Sequence, residues 1–339
     1  MNLAPRTFSL FLVLLISATA AESYKPINRI SVPGDYGWDY LGVDEAARRL
    51  YVTHDSEVVV IDLATGSIAG KIPKLRGVHG VAIVAALDKG FITNGTPGTV
   101  TMFDTKTLRT LGEVKVGENP NCVLFEPATE RIFTADRGSK QMTAIDPKTG
   151  KVVGTIGPLD GKTEYAVADG KGHIFLNIQD KANLLRLDAR NLKVMDTWPL
   201  APCAEATSIT MDRKNARVFV GCRSGVMVVV NAVTGKVVQT VPIGMGVDAT
   251  TFDAERGIVF NSNGDGTLTV IRQKGPDEYG VVENVKTMPG ARTMALDSRT
   301  HRIYLPAAEY EPGPTAAEGQ PRRRGKVVPA SFGVLVVGQ

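Results

Sequence analysis

The sequence predicts an all-β fold, and three observations support this prediction. A phrase of the Val-Ile-Asp type recurs at a nearly constant interval, each period divides into four short strands, and no segment after the first twenty residues has a 3.6-residue apolar period. The residue that ends the phrase lies 42 positions from the next one in three successive intervals, from Asp62 through Asp104 and Asp146 to Asp188. Two weaker copies follow after 43 and 41 residues, so a repeat architecture with a period near forty residues is indicated.

The first period illustrates the four predicted strands. Residues 40–43 form an apolar run closed by Asp44, and residues 49–53, 57–61 and 67–72 supply the second, third and fourth strands. The turn at 62–66 reads Asp-Leu-Ala-Thr-Gly, and similar turns recur at 146–150 and 231–235. An Asp or Asn oxygen accepts nearby backbone N–H groups and Gly tolerates positive φ, so this composition predicts a tight turn between the third and fourth strands.

Counting the first strands predicts seven blades. Their closing residues are Asp44, Val84, Glu126, Asp169, Asp212, Asp253 and Asp297. The seventh blade has only three strands of its own, at 291–296, 302–305 and 332–337, and residues 26–32 have the right length and character for the fourth. We therefore predict a seven-bladed β-propeller of four-stranded blades that forms one domain over residues 24–338, with the ring closed by the N-terminal strand. Closure would protect two sheet edges that otherwise invite aggregation.

The first twenty residues have the pattern of a signal peptide. Arg6 precedes a nine-residue apolar run at 8–16, and Ala18-Thr19-Ala20 offers small residues where a signal peptidase cleaves. The run is about half the length of a membrane-spanning helix, so no span is expected in the mature chain. This pattern predicts a periplasmic or secreted protein.

Charge is nearly balanced outside one segment. The formal net charge is +4, too small by itself to indicate a nucleic-acid or membrane partner. Residues 307–331 are predicted to be a long flexible loop inserted in blade seven, and its cations offer the one basis for binding nucleic acid or another acidic surface. A solvated surface loop explains the same composition. The cations are Arg322, Arg323, Arg324 and Lys326.

Polar residues recur at one position of the first strands. The fifth residue before each closing residue is polar in all seven blades, whereas the residue two positions further on is mostly apolar. In propellers this position faces the mouth of the central channel, so we predict a ligand site there. The seven residues are Asp39, His79, Asn121, Glu164, Thr207, Asp248 and Arg292.

A second set of candidates comes three residues after the Tyr or Phe of each second strand. We expect these residues to open onto the same face, which adds His54 and Asp136 to the site. The imidazoles of His54 and His79 beside Asp39 would bind a divalent metal, or would act as a general base with an orienting acid. Arg292 would hold a carboxylate or phosphate. Polar strand ends also cap backbone groups, which is a purely structural explanation of the same pattern.

Three cysteines remain after signal removal. Cys203 enters blade five and Cys222 ends the second strand of that blade, so a disulfide between them is a candidate in an oxidising compartment. Cys122 would then be the odd thiol.

The repeat resembles the YVTN β-propeller repeat. Tyr51-Val52-Thr53-His54 carries the resemblance in the first period, and Phe260-Asn261-Ser262-Asn263 with residues 266–271 is a second close copy. Within that group the mature chain resembles the YncE-like exported bacterial proteins. The motif residues belong to strands and turns, so the resemblance implies a fold rather than an activity.

These observations favour an exported binding or scaffold protein over an enzyme. Its ligand, a small molecule or a protein partner, would occupy the polar loop face around the channel. The resemblance also implies two enzymatic alternatives, because related propellers occur in lactonases and in quinoprotein amine dehydrogenases. The first is a lactonase-like or metal-dependent hydrolase, and the second is a quinoprotein amine dehydrogenase-like subunit, for which no cofactor-specific residue is present.

Overall fold

Seven four-stranded antiparallel sheets make up the protein. A computed structural model describes residues 23–34, 37–313 and 325–339. Within these ranges the regular secondary structure is strand except for two single 3₁₀ turns, Ala85–Leu87 and Gln179–Lys181. The all-β, seven-bladed propeller is therefore confirmed.

Each blade runs from an inner first strand to an outer fourth strand, and the strands are numbered in chain order. The first strands are β2 (Trp38–Asp44), β6 (Val78–Val84), β10 (Pro120–Glu126), β14 (Thr163–Ala168), β18 (Ala206–Asp212), β22 (Ala249–Asp253) and β26 (Ala295–Asp297). The second strands are β3 (Arg49–His54), β7 (Lys89–Asn94), β11 (Arg131–Asp136), β15 (His173–Ile178), β19 (Arg217–Cys222), β23 (Ile258–Asn263) and β27 (Arg302–Ala307). The third strands are β4 (Glu57–Asp62), β8 (Thr99–Asp104), β12 (Gln141–Ile145), β16 (Asn183–Asp188), β20 (Val226–Asn231), β24 (Thr267–Gly275) and β28 (Gly333–Gly338). The fourth strands are β5 (Ile68–Ile72), β9 (Thr110–Lys115), β13 (Val152–Ile156), β17 (Lys193–Pro199), β21 (Val237–Pro242), β25 (Glu278–Lys286) and β1 (Lys25–Ser31).

The ring closes through its N-terminal strand, as predicted. Strand β1 pairs antiparallel with β28, from Lys25 opposite Gly338 to Ser31 opposite Gly333, and so becomes the outer strand of blade seven. Every first strand contacts the first strands of both neighbouring blades, and these contacts include β2 with β26. The first strands thus surround a central channel without a gap.

The first strand of blade seven is shorter than predicted. The sequence indicated a strand over 291–296, but β26 covers only Ala295–Asp297. The segment before β26 forms hydrogen bonds with other blades instead. The Ser262 hydroxyl donates to the Arg292 carbonyl, and the Thr293 hydroxyl donates to the Asp39 carbonyl. These bonds attach the segment to blades six and one.

An aromatic residue at the third position of every second strand fills the space between blades. All seven are at most 2% exposed, and they are Tyr51, Phe91, Phe133, Phe175, Phe219, Phe260 and Tyr304. Two of them contact rings of the next blade: the Tyr51 and Phe103 ring centroids lie 5.6 Å apart, and those of Phe219 and Tyr279 lie 5.3 Å apart. Full burial of such a side chain stabilises the fold by about 1.5–3 kcal/mol.

The repeated turn forms as its composition predicts. The Asp62 carboxylate accepts the Ala64 and Thr65 backbone N–H groups, each at 2.8 Å, and Gly66 has a φ of 72°. These hydrogen bonds lower the pKa of Asp62. Asn231 makes the same contacts with Val233 and Thr234, so the repeat preserves a local hydrogen-bond pattern.

A buried ion pair joins the first and last blades. The Arg48 guanidinium donates two hydrogen bonds of 2.7 Å to the two oxygens of Asp297, whose side chain is fully buried. Burial opposes ionisation of this carboxyl, but the bonds from Arg48 and Thr300 hold the pKa of Asp297 below its ordinary value. A bidentate pair of this kind fixes both distance and orientation across the seam.

The described ends of the segment 307–331 pair with each other. The Glu311 N–H donates to the Lys326 carbonyl at 2.8 Å, and the Val328 N–H donates to the Glu309 carbonyl at 2.9 Å. The Lys326 side chain is exposed, whereas Arg322, Arg323 and Arg324 lie outside the described residues, as does the predicted signal peptide at 1–20.

The variant Asp297→Asn is expected to lose about 3 kcal/mol of unfolding free energy at neutral pH, the lower end of the range for breaking a buried ion pair. Because the folded-state pKa of Asp297 is lowered, its contribution is complete above the unfolded value of about 3.9 and disappears as pH falls through the folded value. The unfolding free energies of variant and wild type should therefore approach each other as pH falls, which thermal unfolding from pH 7.5 down to acid pH measures.

Glu309→Gln is the matched control, because Glu309 pairs with Arg29 in blade seven at 3.0 Å but both side chains are solvent-accessible. Exposed pairs contribute about 0–1 kcal/mol, so its melting temperature should stay near that of the wild type. Equal losses in the two variants, or a constant Asp297→Asn deficit at every pH, would contradict the assignment.

Candidate functional site

One cavity at the channel mouth collects six of the nine predicted site residues, and His54, Asp136 and the fully buried Thr207 lie outside it. We call this cavity the cup, and its volume is about 210 Å³. Each residue stands at or shortly before the start of a first strand, so six converging strands bring together side chains that are far apart in sequence. The six residues are Asp39, His79, Asn121, Glu164, Asp248 and Arg292.

Five further residues line the cup: Tyr40, Asn119, Arg137, Gln179 and Arg223. Arg137, Gln179 and Arg223 occupy equivalent positions in blades three, four and five, immediately after the second strand ends. The prediction from sequence chose the preceding position in each blade. Successive residues of a strand point to opposite sides, so a shift of one residue exchanges a buried side chain for one that faces the cup. The same repeat register, moved on by one residue, would have identified these three residues from the sequence.

Carboxylates and guanidinium groups occupy different depths of the cup. The carboxylate side chains of Glu164 and Asp248 are 7% and 6% exposed. The guanidinium side chains are more accessible, with Arg137 at 28%, Arg223 at 35% and Arg292 at 44%. The cup is thus near neutral in formal charge, but its solvent-facing surface is cationic.

Ion pairs connect neighbouring blades around the rim. Asp248 of blade six accepts a hydrogen bond from Arg223 of blade five at 3.2 Å. Its other carboxylate oxygen forms an ion pair with Arg292 of blade seven, with Oδ2 2.8 Å from Nε. Arg137 of blade three pairs with Glu164 of blade four. These pairs hold the three guanidinium groups in fixed positions, which is the condition for recognising an anion without reordering long side chains.

Asp39 and His79 form a further pair between blades one and two. The Asp39 Oδ2 lies 2.7 Å from the His79 Nδ1, which leaves Nε2 as the other ring nitrogen. Gly95 makes room for the imidazole, since a Cβ at that position would lie 2.7 Å from Nε2. A carboxylate that orients an imidazole is the arrangement of a general base.

The floor of the cup is aromatic. Tyr40 of blade one and Tyr165 of blade four stack with ring centroids 4.3 Å apart, and the Tyr40 hydroxyl donates to the Asp248 carbonyl at 2.8 Å. Blades one and four face each other across the ring, so this stack spans the channel. The cup therefore opens on one side only. Burial raises the pKa of both tyrosines, which keeps the floor uncharged.

Two titratable groups of the cup are perturbed by their surroundings. Burial raises the pKa of the Asp39 carboxyl, although its hydrogen bond with His79 acts in the opposite direction. Burial and the neighbouring Arg223 guanidinium lower the pKa of Arg137. Arg137 and Arg223 are therefore close enough to repel each other across the cup.

The structure does not bring His54 to the cup. Its side chain is 1% exposed, and its ring stacks on Phe332 at a centroid distance of 4.5 Å and an angle of 3°. Phe332 directly precedes β28 of blade seven, so the His54 ring lies between blades one and seven and outside the cup.

Asp136 is likewise buried inside its blade. Its oxygens accept hydrogen bonds from the Thr134 hydroxyl at 2.7 Å and the Thr143 hydroxyl at 2.5 Å. At the equivalent position, the Asn94 and Asn263 side-chain amides donate to threonine hydroxyls of the third strand. This position therefore joins the second and third strands, and the expectation that the whole set opens onto the channel face is wrong for these buried members.

No group of three or more His, Cys, Asp and Glu side chains among the described residues is arranged to hold a metal ion. The predicted ligand trio of Asp39, His54 and His79 accordingly does not form a metal site in this arrangement.

The structure joins Cys203 and Cys222 by a disulfide, with Cα atoms 5.5 Å apart. Cys122 is a buried free thiol, and burial raises its pKa to about 12. In the described ranges, no helix is long and apolar enough to span a bilayer.

Asp39→Asn is expected to be at least as stable as the wild type at neutral pH. The folded-state pKa of Asp39 is raised, so its ionised form opposes folding as pH rises from the unfolded value of about 3.9 through the folded value. Asn keeps an acceptor for His79 and removes this cost. The stability of Asp39→Asn relative to the wild type, measured by thermal unfolding, should therefore increase as pH rises through this range. The stability of Asp297→Asn relative to the wild type should instead decrease as pH rises. An Asp39→Asn protein that is less stable than wild type at pH 7.5 would contradict the burial argument.

Comparison with curated proteins finds a partial similarity. No protein-family model matches the chain. A 149-residue segment is 30% identical to the uncharacterized protein YncE of Salmonella typhimurium (strain LT2) and 29% identical to YncE of Salmonella typhi. The match covers 42% of this chain and 42% of each relative, so it spans less than half the length of those proteins.

Comparison with solved structures finds the same fold in distant proteins. A chain in the crystal structure of the mitotic checkpoint complex has a TM-score of 0.74 at 14% identity, over 90% of this chain and 96% of that one. The U3-55K structure has a TM-score of 0.76 at 7% identity, over 91% of this chain and 98% of that one. A chain of Kuenenia stuttgartiensis hydrazine synthase has a TM-score of 0.70 at 13% identity, over 81% of this chain and 94% of that one. At such identities the similarity concerns the fold alone. The protein is a seven-bladed β-propeller with partial similarity to YncE.

Proposed function

We propose that the protein is a binding protein whose cup holds a small anionic ligand. The observation that carries this proposal is the depth arrangement of charge, in which three guanidinium groups face solvent above carboxylates that are almost buried. Arg presents a planar fork of donors that suits carboxylate and phosphate oxygens, so the surface a ligand meets first favours an anion.

The repulsion between Arg137 and Arg223 supports the same proposal. Each of these side chains already has a carboxylate partner, and burial together with the weaker effect of the neighbouring Arg223 guanidinium lowers the pKa of Arg137. An anion between them would relieve the repulsion. A guanidinium has five N–H donors, so the contact of each with a single carboxylate leaves donors for a ligand.

The size and shape of the cup restrict the ligand further. Its volume of about 210 Å³ is below the roughly 300–1,000 Å³ of sites for drug-sized molecules. The stacked Tyr40 and Tyr165 close the floor, so a ligand enters and leaves by one face. We therefore expect a compact ligand such as a small phosphate or carboxylate.

Arg223→Gln is expected to weaken binding of phosphate or of a small carboxylate at least tenfold, because a hydrogen bond to a charged group contributes about 1.5–3 kcal/mol. The substitution leaves Asp248 paired with Arg292. Isothermal titration calorimetry with inorganic phosphate and with acetate, at low ionic strength, measures the change.

Arg272→Gln is the matched control, because Arg272 is an exposed arginine on the third strand of blade six, outside the cup. The affinity of Arg272→Gln for phosphate and for acetate should equal that of the wild type. Binding that is lost equally in both variants, or unchanged in Arg223→Gln, would refute the assignment of the cup.

We also propose that the protein acts outside the cytoplasm. The signal-peptide pattern of residues 1–20 supports export, and the Cys203–Cys222 disulfide supports it independently, because such bonds persist in oxidising compartments.

Exported protein that is denatured without reduction should therefore react with one equivalent of iodoacetamide, at Cys122, as counted by intact mass. After reduction it should react with three. Three equivalents before reduction would remove the support that the disulfide lends to export.

A further inference from the structure

A second, smaller cavity lies beside the cup and shares one side chain with it. We call it the shelf: Gly37, Trp38, Gly290 and Tyr310, next to Arg292, enclosing about 130 Å³. Arg292 also lines the cup, so the same guanidinium borders both cavities. Its Nε contact with Asp248 at 2.8 Å fixes it between them.

The aromatic wall of the shelf is held from behind. Trp38 stacks on Phe332 at a centroid distance of 4.8 Å, and Phe332 stacks in turn on the buried His54. Tyr310 lies 6.5 Å from Trp38 at an angle of 44°. These contacts immobilise the indole, so a ring that stacks on it loses little freedom in the protein.

Glycine leaves the shelf open. A Cβ built at Gly37 would meet no heavy atom within 4 Å among the described residues other than its chain neighbours, so a Cβ there has open space in front of it. Gly290 is buried and has a φ of 89°, a conformation that side chains with a Cβ rarely adopt. The shelf therefore combines a fixed aromatic surface, a cation and unfilled volume.

We propose that the ligand of the cup carries an aromatic ring next to its anionic group, and that this ring stacks on the shelf. The inference rests on the proposed function, since it assigns a second part to the same ligand. The anionic group would bind Arg223 and Arg137, and the ring would lie against Trp38. Arg292 would contact both parts, because a guanidinium bonds anions along its edge and stacks on aromatic rings with its face.

Pairs of ligands that differ only in the ring provide the test. Calorimetric titration compares inorganic phosphate with phenyl phosphate, and acetate with benzoate. Stacking of one ring on a fixed aromatic side chain predicts that each aryl anion binds about tenfold or more tightly than its parent. Arg223→Gln should weaken both members of a pair.

Two substitutions remove the shelf in different ways. Trp38→Leu removes the stacking surface, whereas Gly37→Val keeps Trp38 and places a branched side chain in the open space at the edge of the shelf. Each should reduce the aryl preference to less than threefold while leaving affinity for inorganic phosphate within about twofold. Trp198→Leu, which alters the other tryptophan on the outer strand β17, is the matched control and should keep the preference. If Trp38→Leu does not fold, Gly37→Val alone decides.

The outcomes separate this inference from the proposed function. If phosphate binds but phenyl phosphate binds no better, or if the preference persists in Gly37→Val, the inference is overturned and the anion site remains. If neither phosphate, acetate nor their aryl counterparts bind the wild type, the proposed function fails and the inference fails with it.

Discussion

Closure of the ring is the constraint on which the rest of the structure depends. Each blade buries one aromatic residue of its second strand against a neighbour. The last interface joins blade seven, completed by β1 pairing with β28, to blade one, and the Arg48–Asp297 pair crosses it. An open array would leave two blade faces and two strand edges exposed to solvent. Closure also fixes the distance between opposite blades, which is what allows Tyr40 and Tyr165 to meet in the channel.

The same convergence creates the cup. Seven first strands bring one polar position each toward a common axis, and the tyrosine stack beneath them keeps water and ligand on one side. Ion pairs between blades then set Arg137, Arg223 and Arg292 in place, with the carboxylates behind them. The site is therefore a property of the closed ring, because no single blade contains more than a fraction of it.

Much of the fold and part of the site could be predicted from the sequence. A period of 42 residues, the Asp-x-x-Thr-Gly-type turns and the three-stranded last blade were sufficient for seven blades and their closure. Six residues of the cup followed from the repeat register. Arg137 and Arg223 were missed because they stand one position beyond the chosen one, where strand alternation reverses the direction of the side chain. The shelf was not predictable, because Trp38 and Tyr310 meet only through closure and share no repeat position.

Locating a bound anion tests the central claim most directly. Crystals grown with selenate, which scatters anomalously and has the shape and charge of a small tetraoxyanion, would show where such an anion binds. The account predicts one anomalous peak in the cup, within hydrogen-bond distance of the Arg223 guanidinium and of Arg137 or Arg292, above the ring of Tyr40. Fully occupied selenate elsewhere on the molecule, with the cup free of anomalous density, would contradict it.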